Sequence, residues 1–186
     1  MQIFSSRELK ELSKAYIGVV IIFALLFYQQ LGLSLALLVS AVAVGISFVV
    51  HELAHKFVAM HYNCIAEFRS DTKMLLVAFA ILIISGLRFV IIAPGAVMIR
   101  NVRDRKHYGI ISASGPMSNI LLALVFLALS GLGPLFAYGF RINAILAFFN
   151  LLPFGMFDGK KILDWNRAAY AVMFIVALAL FALRYL

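Results

Sequence analysis

The sequence predicts an all-α membrane protein: a polytopic bundle of about five to six transmembrane helices, with a re-entrant or strand-like membrane segment near 89–99. Three observations carry this. Hydrophobic residues make up 65% of the 186-residue chain, against roughly 45–50% in soluble domains. Mean hydropathy is +1.04, too apolar for a soluble fold to cover with its polar residues. The Lys and Arg that give a net charge of +8 stand between the apolar runs, where they set membrane orientation and meet anionic head groups. No polar basic domain is left for nucleic acid. The single cysteine, Cys64, excludes an intrachain disulfide, a zinc finger and an iron–sulfur cluster.

In order along the chain, residues 1–14 are polar and basic, and the first apolar run covers Ala15–Tyr28. It is too long, and too soon followed by others, for a cleaved signal peptide. An uncharged break, Gln29-Gln30-Leu31-Gly32, precedes a second run from Leu33 to about Tyr62. As one helix that run rises about 45 Å, more than a hydrocarbon core of about 30 Å, so it must tilt or protrude. Ala36, Ser40, Ala43 and Ser47 put small residues on one face for close helix packing. After the charged stretch Glu67 to Lys73 come two short runs, Met74–Leu87 and Phe89–Ile99; Pro94-Gly95 and β-branched residues disfavour a regular helix in the second. A basic patch (Arg100, Arg103, Arg105, Lys106), a long run Gly109–Leu129, an uncharged loop 131–139 and a run Ile142–Leu152 follow. Lys160, Lys161 and Arg167 join this to the last run, Ala168–Leu183. Placing every basic cluster on the cytoplasmic side puts the N-terminus inside and leaves the two outside loops, 29–32 and 131–139, free of Lys and Arg. The sequence reads as a single integral-membrane domain over 1–186, with its core at 32–161.

Chemistry concentrates at His51-Glu52-Leu53-Ala54-His55. On a helix, residues i and i+4 share a face, so two imidazoles there can hold one metal ion, with Glu52 as general base toward a metal-bound water. The motif continues an apolar run of about 20 residues, where ionisable side chains are costly and mark function. If the helix surfaces near Asn63, His51 lies about 18 Å and His55 about 12 Å from that end along the axis, distances that tilt shortens, so the site is nearer the cytoplasm than the midplane but below the surface. Zinc wants a third protein ligand and an open position. His61, His107, Asp104, Asp158 and Asp164 are candidates. Asp158 is favoured, because it follows a mostly apolar stretch broken by Pro153 and Gly155 on the same side as His55, with Gly159 permitting close approach. Asn150 and Asn119 could donate to a developing oxyanion, or could bridge helices.

HELAH in a membrane helix, then SGPMSN, then NLLPFGMFDG resembles the site-2 protease family of intramembrane metalloproteases, over roughly residues 32–161; the chain is similar to small members without PDZ or CBS domains. The resemblance implies His51, His55 and Asp158 as ligands of one Zn²⁺ per chain, Glu52 as catalytic base, and Asn150 as the family's polar residue upstream of Asp-Gly. It implies a transmembrane segment of another protein as substrate, within the lipid bilayer. It also makes the segment around Pro94 and Gly95 similar to the family's strand-like element, whose edge could pair with an unwound substrate. Two other readings would leave the same residues in place: a metal-binding membrane protein without peptidase activity, and an inactive scaffold that binds helices.

Overall fold

The computed structural model describes residues 3–88, 90 and 94–183. Among these, helix dominates: α1 (Ser6–Val39), a π-helical segment (Ser40–Gly45), α2 (Ile46–His61), α3 (Thr72–Ile84), α4 (Arg105–Ala128), α5 (Pro134–Asn150), α6 (Asp158–Trp165) and α7 (Arg167–Leu183). Two short strands, β1 (Ile65–Ser70) and β2 (Gly95–Arg100), pair with each other. Phe89 and Ile91–Ala93, part of the segment expected to be strand-like, lie outside the described residues; its C-terminal half is β2. Backbone contacts group the chain into two units, Met1–Val49 with Glu67–Met98, and Val50–Ala66 with Ile99–Leu186.

In the first unit, α1 is not straight. Gly32 sits at φ 72°, ψ 166°, a region open essentially to glycine alone. The chain turns back there: the Tyr16 hydroxyl donates to the Ala41 carbonyl at 3.1 Å, and a Cβ on Gly45 would run into the Tyr16 ring. The break read at residues 29–32 is therefore a helical hairpin. The π-helical segment, which no residue pattern announces, lies on its returning arm. Asp71 caps α3 by accepting from the Met74 amide. Leu75, Ala78 and Leu82 of α3 bury against Ile22 of α1. The excursion from residue 72 closes on itself, because the Asp71 amide donates to the Pro94 carbonyl at 2.8 Å.

That bond ties the end of β1 to the start of β2, so the strands are antiparallel. Gly95 is a packing requirement: a Cβ there would collide with the Arg69 carbonyl and the Phe68 ring. The far edge of β1 is sealed by α1, where buried Glu8 accepts from the Phe68 amide at 2.9 Å and the Glu11 carboxylate takes the Ser70 hydroxyl. β2 alternates half-buried and exposed residues, with Ala96, Met98 and Arg100 outward.

In the second unit, α2 ends in a left-handed Asn63 (φ 57°), with the Cys64 amide returning to the Ala59 carbonyl. α4, α5, α6 and α7 share an apolar core that includes Ile120, Ala123, Phe140, Ala147, Leu151, Ile162 and Leu180. Among the described residues, two stretches are long and apolar enough to cross a membrane, Ser6–His61 and Arg105–Ala128; Thr72–Ile84 and Arg167–Leu183 are apolar but shorter. Large apolar side chains, among them Ile17, Ile84, Leu121, Val125, Val172 and Ile175, are exposed.

The hairpin makes Gly32→Ala costly, by about 1–3 kcal/mol from backbone strain alone. Thermal unfolding of the solubilised variant should show a lowered midpoint; an unchanged midpoint would mean that the turn tolerates a side chain.

Candidate metal centre

α2 continues as regular helix through His51 and His55, and the four-residue spacing lays both rings on one face, 4.7 Å apart between centroids. Their Nε2 atoms are 3.1 Å apart. Asp158, at the start of α6, brings its Oδ2 to 3.0 Å from His55 Nε2 and 3.6 Å from His51 Nε2. All three side chains are buried, and their donor atoms lie within 4.8 Å of one another. Zinc bonds of about 2.0–2.1 Å in a tetrahedral site place ligand atoms about 3.3 Å apart, so the spacing fits that ion.

The hydrogen bonds behind the rings fit it too. His55 Nδ1 faces the Ile111 carbonyl at 2.7 Å, and His51 Nδ1 faces Asn119 Oδ1 at 2.5 Å. Both partners are acceptors, so each Nδ1 carries the proton and each Nε2 turns a lone pair toward the other ring and toward Asp158. Three lone pairs converging in a buried space repel unless a cation lies among them. The donor set therefore fits a metal ion better than it fits its absence.

Two glycines let the backbone come this close. A Cβ on Gly115 would overlap the imidazoles of His55 and His51, so α4 can pass the rings only with hydrogen at that position. Pro116 beside it has no N–H to give the Ser112 carbonyl, one residue after the Ile111 carbonyl that faces His55. A Cβ on Gly159 would overlap the backbone of Leu151, so the start of α6, and Asp158 with it, rests on the chain leaving α5.

The second oxygen of Asp158 is held as well. Its Oδ1 accepts from Lys161 Nζ at 3.0 Å, leaving Oδ2 for the histidines. Burial opposes charge on Lys161, but the Asp158 carboxylate outweighs it and, with a smaller contribution from Glu52, holds the ammonium above its ordinary pKa. Glu52 is buried, within electrostatic reach of the same ammonium.

The structure sorts the other residues singled out from the sequence. Asp104 caps α4 by accepting from the His107 amide at 2.7 Å, Asp164 pairs with Lys160 at 3.0 Å, and His61 packs edge-on to Tyr62. Asn119 is buried beside His51, with its amide donating to Asn143 Oδ1 at 3.0 Å. Both its ends are thus engaged within the helices. Asn150 turns its amide back to the Leu146 carbonyl of its own helix. Asn143, fully buried, is the residue that sequence reasoning passed over; its only sign was an amide isolated in an apolar run.

Comparison with known proteins agrees with this chemistry. The chain is 36% identical, over 178 residues, to a protein of Methanocaldococcus jannaschii named "Putative zinc metalloprotease MJ0611", and the match covers 91% of this chain and 90% of that one. No family model matches, and no solved structure matches.

Gly115→Ala should abolish stoichiometric zinc, measured by metal analysis of the purified chain, while Gly131→Ala, where an added Cβ meets nothing within 4 Å, should leave zinc in place. Full zinc occupancy in Gly115→Ala would show that the rings have room to spare. Lys161→Gln should lower zinc affinity by about tenfold, as loss of outer hydrogen bonds to a ligand does, read by chelator competition.

Proposed function

Because the chain belongs to the zinc metalloprotease family of its Methanocaldococcus jannaschii relative, we propose that it is an intramembrane zinc endopeptidase of the site-2 protease type. It would cut peptide bonds within or near transmembrane segments of other membrane proteins. The observation that carries this reading is the buried donor set that His51 and His55 of the HExxH helix form with Asp158 of α6. The chain would sit in the membrane as a bundle of five to six spans, N-terminus cytoplasmic, with the centre toward the cytoplasmic side. Exposed apolar side chains on α1, α3, α4 and α7 and the placement of the basic clusters support that setting.

The roles divide as follows. His51, His55 and Asp158 would hold one zinc ion. When bound, zinc lowers the pKa of a water molecule and polarises a carbonyl. Glu52 would accept the proton of the attacking water as its oxygen bonds to the scissile carbonyl carbon, and would deliver that proton to the departing amine as the C–N bond breaks. Lys161 would keep Asp158 turned for single-oxygen ligation. A helical substrate hides its peptide bonds, so it must be extended before attack. With β1 sealed by Glu8 and Glu11, β2 is the strand whose outer edge would offer backbone hydrogen bonds to an extended segment. Pro94 and Gly95 begin that edge.

The decisive experiment is cleavage of a membrane-anchored test protein by purified chain in detergent. Glu52→Gln should retain one zinc per chain and lose at least 10²-fold in rate, the scale of a general base. Chelation should stop the wild type, and added zinc should restore it. Cleavage that survives both treatments would overturn the reading. Zinc binding with no cleavage of any helix would instead favour a metal-binding protein without peptidase activity.

A further inference from the structure

Asn143 lies on α5 with no solvent exposure, one helix removed from the metal centre. Its Nδ2 donates to the Gly139 carbonyl at 2.9 Å. Its Oδ1 accepts from Asn119 Nδ2 at 3.0 Å, and Asn119 Oδ1 in turn receives the His51 Nδ1 proton at 2.5 Å. The direction of each bond follows from the far end. A backbone carbonyl only accepts, so Asn143 must aim its NH₂ at Gly139 and its oxygen at Asn119. Asn119 must then aim its NH₂ at Asn143 and its oxygen at His51, and His51 must carry its proton on Nδ1.

His55 reaches the same protonation state in one step, because its Nδ1 meets the Ile111 carbonyl directly. His51 depends on an amide that can turn over with almost no change of shape. Turned over, Asn119 would offer NH₂ to His51 Nδ1, drive the ring proton to Nε2, and aim that proton at Asp158 and at the site of the metal. Asn143 is what removes this second orientation.

We propose that Asn143 is a positioning residue that, through Asn119, locks His51 in the metal-binding tautomer and thereby sets the zinc affinity of the centre. The inference rests on the reading of His51, His55 and Asp158 as zinc ligands, and the test separates the two.

The test is zinc affinity of the full-length solubilised chain by competition with a chromophoric chelator. Asn143→Leu should weaken zinc 10–100-fold, the range typical of lost outer-shell partners. Asn143→Asp should stay within a few-fold of wild type, since a protonated carboxyl can donate to Gly139 and still accept from Asn119. Asn119→Asp presents two equivalent oxygens and has no wrong face, so adding Asn143→Leu in that background should change zinc affinity less than threefold. Equal zinc affinity in wild type and Asn143→Leu would overturn the proposal. So would a loss in Asn143→Leu that persists undiminished in the Asn119→Asp background, because the effect would then come from packing rather than from the tautomer. A wild-type chain that takes up no zinc would sink the metal-centre reading itself, and this inference with it.

Discussion

Three electron-pair donors, two imidazole nitrogens and one carboxylate oxygen, face one another in a buried space, with the ring protons turned away from it. Burying such an arrangement is unfavourable by itself. The second unit organises its helices so that it persists. α2 supplies the rings at one turn's spacing, α4 comes against them at a residue without a side chain, and α6 starts with the carboxylate because Gly159 rests on Leu151. Several departures from ordinary apolar packing in this unit, Gly115 inside α4 and the buried Asn119 among them, fall where they serve that convergence. A metal ion bound there would couple to folding, since the unfolded chain has no comparable site.

Much of this was legible in the sequence, for physical reasons. Ionisable side chains are so costly in an apolar helix that His51, Glu52 and His55 stood out against their surroundings. Asp158 was separable from Asp104 and Asp164 because it followed an apolar stretch broken by proline and glycine, whereas the other two sat among compensating charges. Gln29 to Gly32 read as a break, and the chain does reverse at Gly32. Pro94-Gly95 read as hostile to helix, and β2 begins there.

What stayed hidden depended on partners distant in sequence. β1 overlaps what read only as a charged stretch, because six residues give too short an alternation to stand out. Its outer edge is held by Glu8, some 60 residues earlier. The π-helical segment has no side-chain signature, since a widened turn is dictated by what packs on it. Asn143 and Asn150 are chemically identical in an apolar run. Which of them meets Asn119 is decided by the rotation of α5, and no local pattern encodes that angle.

The closure between Asp71 and Pro94 has a consequence of another kind. The stretch that starts after Asp71 returns to the strand pair at Pro94, so its two anchoring residues stand side by side. Its exposed positions, Leu76 and Ile84 among them, can change without altering the strand pair that frames them, whereas Leu75, Ala78 and Leu82 are held by their packing on α1, and none of the three clustered donors lies within the segment. The architecture thus separates a part free to diversify from a part bound by stereochemistry. Variation among proteins built on this plan should gather in that excursion, while the helices carrying His51, Gly115, Asn143 and Asp158 change slowly.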